Sequence, residues 1–317
     1  MQEEFAFSIN RITRDNLSEL SLSSSKLFER RVCELSELCD GVCALALSLM
    51  DDGVTLYEAL SLLCEPLSEL SASVHTTRMD ENALRLQSYV RMLDCTALSA
   101  FSELLVSRLA SIGITVGERD FLPVDSLPET FIYYKNQFSD EAYDVFSQDF
   151  DDPRVKYADS LRGVFKALHD GEVGYALVPL EERGARLPTV AEQIYRGDFK
   201  INSVIPVFGV DGAADMRYAL ISKSYTVPEI ATEDDRYLEI RLSAEEGSAL
   251  LSVLAAAEGS GADIYRVNSA SYETFGKRRS IYSVVLKTEG GDFTSMLTYL
   301  ILSGLDVTVV GIYKNLE

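Results

Sequence analysis

Ser160-Leu161-Arg162-Gly163-Val164-Phe165-Lys166-Ala167-Leu168, followed by Gly174-Tyr175-Ala176-Leu177-Val178-Pro179-Leu180-Glu181, is the stretch on which the fold turns. Its first half carries apolar residues at helical spacing from Ser160 to Asp170, and Gly171 stops it. Its second half, Tyr175 to Pro179, is a short continuous apolar run, the pattern of a buried strand. Outward from this pair, Phe131 to Tyr134 and Val155 to Tyr157 read as strands and Ser139 to Gln148 as a helix. On the far side, Thr189 to Arg196 reads as a helix, with strands near Ile201–Phe208 and Arg217–Ser222. Helices alternating with short β-rich runs predict an α/β layer with parallel pairing over residues 129–224.

Two other rhythms flank this layer. Residues 1–122 read as a helical bundle. Leu17, Leu20, Leu27 and Phe28, then Leu35, Leu38, Val42, Leu45 and Leu49, recur at helical spacing. Asp51-Asp52-Gly53 breaks the pattern, and Thr55 is placed to cap a helix over Leu56–Leu70. A third run is expected from Asp80 to Ile112. Pro123 and Pro128 flank a polar linker. Over residues 235–317 the order is strand (Tyr237–Leu242), helix (Glu245–Glu258), strands (Asp263–Ser271, Ser280–Thr288), helix (Asp292–Ser303) and strand (Val307–Tyr313). That βαββαβ order predicts a ferredoxin-like sandwich. The chain is therefore expected to be a multidomain α+β protein.

The 317 residues are 47% hydrophobic and 25% charged, a globular balance. No apolar run reaches the length of a membrane span. The acidic start, Met1 to Phe5, lacks the pattern of a signal peptide, so the cytoplasm is the expected address. A net charge of −21 disfavours nucleic acid as a partner, and disfavours dianions unless local arginines override the field. Cys33, Cys39, Cys43, Cys64 and Cys95 form no CxxC pair, and His75 and His169 are the two histidines. No metal and no cofactor are expected, and the cysteines read as buried, reduced, small apolar residues.

The central stretch resembles the prephenate dehydratase family, in which a helix ending in Gly leads into a strand reading like D-Y-G-V-V-P-I-E-N-S. Phe138-Ser139-Asp140-Glu141-Ala142 resembles the start of the family's first helix. Met216-Arg217-Tyr218 is similar to its T-R-F strand, and the βαββαβ tail resembles the ACT regulatory domain that ends many of these enzymes. The resemblance implies a dehydratase domain of the periplasmic-binding-protein type, the loss of water and carbon dioxide from prephenate, and a site lined by Arg217, Ser139, Lys135, Glu182 and Arg183. This sequence departs from the pattern. Met216 stands where the family has a threonine, and a thioether donates no proton. Glu182 and Arg183 replace the asparagine and serine, and the loop before Ser139 is shortened to Lys135-Asn136-Gln137. About ten residues separate the Ile201–Phe208 strand from Met216, where the family places a second lobe of on the order of a hundred residues. The expectation is a single lobe, half of the family's domain.

The helical segment resembles a chorismate mutase, with Arg14 and Arg31 spaced like two substrate-binding arginines. Val42 and Tyr57 stand where that family has ionisable groups. In the tail, Gly247-Ser248-Ala249-Leu250 looks like the ACT G-A-L signature, and Asn268-Ser269-Ala270-Ser271 occupies the place of E-S-R-P. Gly247 to Leu250 and Asn268 are thus candidate effector-binding residues, since a helix start offers N–H groups to a carboxylate. Three readings follow. One is a dehydratase-like protein that has lost catalysis and binds a small carboxylate such as prephenate, chorismate or phenylalanine. Another is an active dehydratase or mutase whose site is completed across a homodimer. The last is an assembly module.

Overall fold

The computed structural model describes residues 30–63, 81–122, 126–208, 214–225, 235–243, 247–274 and 277–314. Arg14, Cys64, His75 and the expected helix beyond Leu63 lie outside the described residues. Described helices are α1 (30–51), α2 (Leu56–Ser61), α3 (Glu81–Arg91), α4 (Cys95–Ser111), α5 (Gln137–Phe146), α6 (Leu161–His169), α7 (Pro188–Arg196), α8 (Gly247–Gly259) and α9 (Thr294–Leu302). The strands are β1 (Thr130–Tyr134), β2 (Arg154–Ala158), β3 (Tyr175–Glu182), β4 (Ala185–Arg186), β5 (Lys200–Phe208), β6 (Ala214–Ser222), β7 (Asp235–Ser243), β8 (Asp263–Thr274), β9 (Lys277–Glu289) and β10 (Val307–Lys314).

Two sheets organise the chain. The first runs β2-β1-β3-β6-β5, with β4 paired to β3; the second runs β10-β7-β9-β8. In the first, β1 pairs parallel with β2 and β3, but β6 is antiparallel to both β3 and β5. This corrects the expectation of parallel pairing throughout. Only residues 209–213 join β5 to β6, and so short a link makes a hairpin, whereas a parallel crossover needs a dozen residues or more. Pro179 sits inside β3 without breaking it because the register shifts between Pro179 and Glu181, and proline is tolerated at such bulges. Ser160 caps α6, accepting from Gly163 N at 3.2 Å, and Gly171 ends it at φ 74°.

The second sheet lies between two bodies. On one side Leu238, Ile240, Leu242, Val284 and Ile312 share a core with α8, α9 and the helical residues Val42, Leu60, Phe101 and Leu105. On the other, Tyr237, Val285, Val310 and Tyr313 pack with Val178, Ile194, Ile201 and Ala219 of the first sheet and its helices. The even–odd split along β7 is the strand period of two.

The expected run from Asp80 to Ile112 is two helices. Asp94 ends the first by capping the second, its side chain accepting from Ala97 N at 2.8 Å. Thr55 and Glu58 form a reciprocal capping box on α2. Cys39 and Cys43 are buried, but Cys33 is exposed and Cys95 is half-buried, so not all the cysteines are core residues. The thiols stand four apart on α1, so the hydrogen bond between them, with burial behind it, pushes the Cys39 thiol up, and the same hydrogen bond holds Cys43 down against the effect of burial. Among the described residues no cluster of histidine, cysteine and carboxylate has metal-binding geometry, and no helix is long and apolar enough to cross a membrane.

Candidate functional site: the seam between the two sheets

The carboxyl ends of β1 and β3 and the start of β6 meet at one end of the first sheet, the end where open α/β sheets commonly bind ligands. Glu181 stands opposite Arg217 and Glu182 opposite Met216 in the β3–β6 ladder. The N-terminus of α5 reaches this end, where Tyr218 donates to Asn136 Oδ1 at 3.4 Å. Ser139 is buried there in a capping role. Its hydroxyl donates to the Tyr134 carbonyl at 2.9 Å and accepts from Asn136 N at 2.8 Å. Lys135 is exposed, its ammonium 4.7 Å above the Tyr157 ring. Glu182 and Arg183 are exposed in the β3–β4 turn, where Arg183 holds φ 48°.

Strand alternation divides this group between two faces. Met216, Tyr218 and Leu220 face α5, whereas Ala219 and Ile221 pack on the opposite side. Arg217 lies on that opposite side, in a crevice lined by Leu180, Glu181, Tyr237, Tyr265, Arg266 and Tyr313. The crevice measures about 10 Å³, room for at most one water. Arg217 and Ser139 therefore do not share a cavity. The second sheet packs beside the half-buried arginine, and α5 buries the serine.

What the seam does gather is a buried ionic network. Glu239, on the lobe-facing side of β7, is fully buried. Arg186 of β4 donates through Nη2 to both its oxygens, at 2.5 and 2.6 Å. Tyr195 and Ser283 donate to Oε1 at 2.9 and 3.0 Å, and Tyr313 donates to Oε2 at 3.1 Å. Arg186 also lies 3.6 Å from Glu181, which receives a second ion pair from Arg266. Burial works against the Arg186 charge, but Glu239 more than offsets it and the guanidinium is held protonated. Burial, with the Glu239 charge behind it, pushes the Tyr195 and Tyr313 hydroxyls well up. Arg241, next on the same face, donates to the Tyr195 carbonyl and to Thr308 Oγ1 at 3.0 Å.

Beside the network the seam opens into a cleft of about 680 Å³ between α7 and the edge of the second sheet, a common size for a small-molecule site. Arg186, Tyr195, Arg266, Asn268, Ile281 and Ser283 line it, with Pro188 and Thr189 from the first turn of α7. Of the tail residues expected to bind an effector, Asn268 reaches this cleft. Ala249 and Leu250 do not line it: α8 begins at Gly247, Ala249 is buried, and Leu250 packs into the helical core. Arg31 is exposed on α1 and lines a separate groove with Glu34, Tyr89 and Met92.

Arg186, Glu239, Arg266 and Tyr195 were not among the sequence candidates. The partners lie far apart in sequence and no local pattern links them. The one available signal is that β4 follows the Arg183-Gly184 turn directly, which folds Arg186 back across Glu181.

Among solved structures, the chain is similar to the prephenate dehydratase from Streptococcus mutans at 16% identity and a TM-score of 0.47, covering 59% of this chain and 99% of that one. It is similar to the prephenate dehydratase from Arthrobacter aurescens in complex with L-Phe at 13% identity and 0.44, covering 58% and 89%. It is also similar to GqqA, described as a novel type of quorum quenching acylase, at 18% identity and 0.43, covering 59% and 95%. No protein-family model matches the chain, and no curated protein sequence matches it.

Proposed function

We propose that this protein is a dehydratase-like protein of the aromatic amino-acid pathway that no longer turns over prephenate and instead binds a small carboxylate. The observation that carries the reading is the position of Arg217, half-buried against the second sheet and not in an open cleft. A dehydratase must place N–H or cationic donors against the substrate's carboxylates and a proton donor against its leaving hydroxyl, inside one water-excluding cleft. Here Arg217 occupies a crevice of about 10 Å³, Met216 supplies no proton, and β5 returns as β6 through residues 209–213 where a second lobe would close the cleft. The test is incubation of the full chain with prephenate, followed by the appearance of phenylpyruvate. The expected result is no rate above the uncatalysed one. A rate that Arg217→Ala abolishes would overturn the reading.

A second reading, self-assembly through the tail, draws on one specific feature. β8 is an edge strand of the second sheet, and Ile264, Tyr265 and Val267 are exposed along it. Such edges template pairing with another chain. Light scattering of the wild-type chain and of Val267→Lys decides this: a dimer that the substitution dissociates supports it, and a monomer at all concentrations removes it.

A further inference from the structure

The geometry points to the seam cleft as the binding site of a small monocarboxylate with a compact apolar tail, held by the first turn of α7, the Arg186 Nε–H and the Asn268 amide. This rests on the carboxylate-binding reading above and gives it a place in the molecule that neither the Arg217 crevice nor the start of α8 provides.

Two buried polar atoms among the lining residues have no hydrogen-bond partner, Arg186 Nε and Asn268 Nδ2, and both are donors. The Arg186 side chain is 7% exposed, so water does not readily serve it. An unpartnered buried donor carries a desolvation cost, which an incoming acceptor recovers. The helix beside them adds donors of its own. α7 has nine residues, Pro188 in its first turn, and no side-chain cap from Leu187. Its first N–H groups are therefore unsatisfied within the helix, and Pro188 and Thr189 line the cleft.

Charge selects the valence of the ligand. Arg186, Arg196 and Arg266 line the cleft with Glu192. Arg196 pairs with Glu192, Arg186 with Glu239 and Arg266 with Glu181. The three pairs cancel, which leaves the helix terminus and neutral donors as the attraction. On a chain of net charge −21 that suits one negative charge and not two. Ala185, Pro188, Ala191 and Ile281 give the remaining wall an apolar surface for the tail.

The test is calorimetric titration of the full chain with 3-phenylpropanoate, its neutral amide 3-phenylpropanamide, and succinate. Two variants spare the Arg186–Glu239 pair. Thr189→Trp places bulk in the cleft from an exposed position in the first turn of α7, and Asn268→Asp replaces the unpartnered donor with a negative acceptor. The expected result is saturable binding of the monocarboxylate, at least tenfold weaker binding of the amide and of succinate, and loss of binding in both variants with wild-type melting temperatures. Absence of binding, equal binding of the amide or of succinate, or retention of binding in Thr189→Trp overturns the proposal. Should Asn268→Asp fail to fold, Thr189→Trp decides alone. Prephenate turnover is read separately, so a non-binding, non-converting protein removes this cleft as a site while the loss of catalysis stands.

Discussion

The two faces of the second sheet are held by different physics. Toward the helices, Leu238, Ile240 and Leu242 enter a single apolar core that continues through α8 and α9 into α4. Toward the lobe, the intervening positions Tyr237, Glu239 and Arg241 meet a network of buried charges and tyrosines. Apolar contact is non-directional and forgives small shifts. A buried ion pair has angular and distance requirements, and losing one partner leaves the other charged in a poor solvent. The helix face therefore supplies mainly adhesion, with one buried ion pair between Arg236 and Glu118 at its margin, and the lobe face supplies register. Two unpartnered donors, Arg186 Nε and Asn268 Nδ2, lie where the register-setting face opens into a cleft.

The largest expected effect breaks both faces at once. Burial pushes the Tyr299 hydroxyl, on the helix face, up to about 12, and Tyr195 and Tyr313, on the lobe face, are pushed further by burial and the Glu239 charge. A tyrosine raised above its unfolded value of about 10 contributes stability that is whole below that pH and is lost as pH rises toward the folded value. Stability is therefore expected to fall steadily above about pH 10. In an alkaline titration, tyrosinate absorbance should rise in two steps, the second coinciding with loss of the far-ultraviolet circular dichroism. A single step with the fold intact would show that the seam tyrosines are reached by solvent.

Glu239→Gln isolates the lobe face. It keeps the shape of the side chain and removes the charge that balances Arg186, so the expected cost is roughly 3–5 kcal/mol in a urea unfolding midpoint. The pair Glu239→Leu with Arg186→Met should recover most of that, because apolar replacement of a buried ion pair is often neutral. A double variant as unstable as the single one would mean that the hydroxyls of Tyr195, Ser283 and Tyr313, not the charges, set the cost.

Two glycines sharpen the contrast between adhesion and register. A Cβ on Gly311 of β10 would overlap the Ile201 carbonyl of β5, which is backbone and cannot turn away. A Cβ on Gly259 at the end of α8 would come within 2.5 Å of the Ser99 hydroxyl of α4, which can rotate. Gly311→Ala is expected to cost about 1–3 kcal/mol through separation of the strands, and Gly259→Ala less than about 1 kcal/mol. Equal losses at the two sites would remove the distinction between the faces.

Much of this architecture is legible in the sequence, and the limit is physical. Gly171 and Gly304 mark helix ends because positive φ is cheap for glycine, and φ is 74° and 61° there. The strands from Tyr175 and Val307 declare themselves by apolar runs. The short link between β5 and β6 is visible as a length, and with it the antiparallel pairing that the alternation of helices and strands conceals. The opposite facing of Met216 and Arg217 follows from a period of two once the strand is placed. The packing beside Arg217 does not, because it comes from a sheet whose strands begin at Asp235. Nor does Glu239, a carboxylate in a strand that reads as half-exposed, whose burial depends on Arg186 arriving from another element.

The smallest effect tests whether the helix face is as forgiving as its chemistry suggests. Asp94 was hidden inside an apparently continuous amphipathic run, yet it starts α4, the helix that carries Phe101 and Leu105 onto α8 and α9. Its carboxylate accepts from Ala97 N at 2.8 Å from an exposed position. Asp94→Ala removes one cap, worth about 1 kcal/mol, and Asp94→Ser should restore most of it because a hydroxyl accepts the same bond. If α4 is held chiefly by apolar burial, the first turn frays and the contacts from Phe101 onward persist. Amide exchange should then rise at residues 95–97 and stay slow around Leu105. Loss of protection along the whole of α4 would mean that adhesion on this face, too, depends on one directed hydrogen bond.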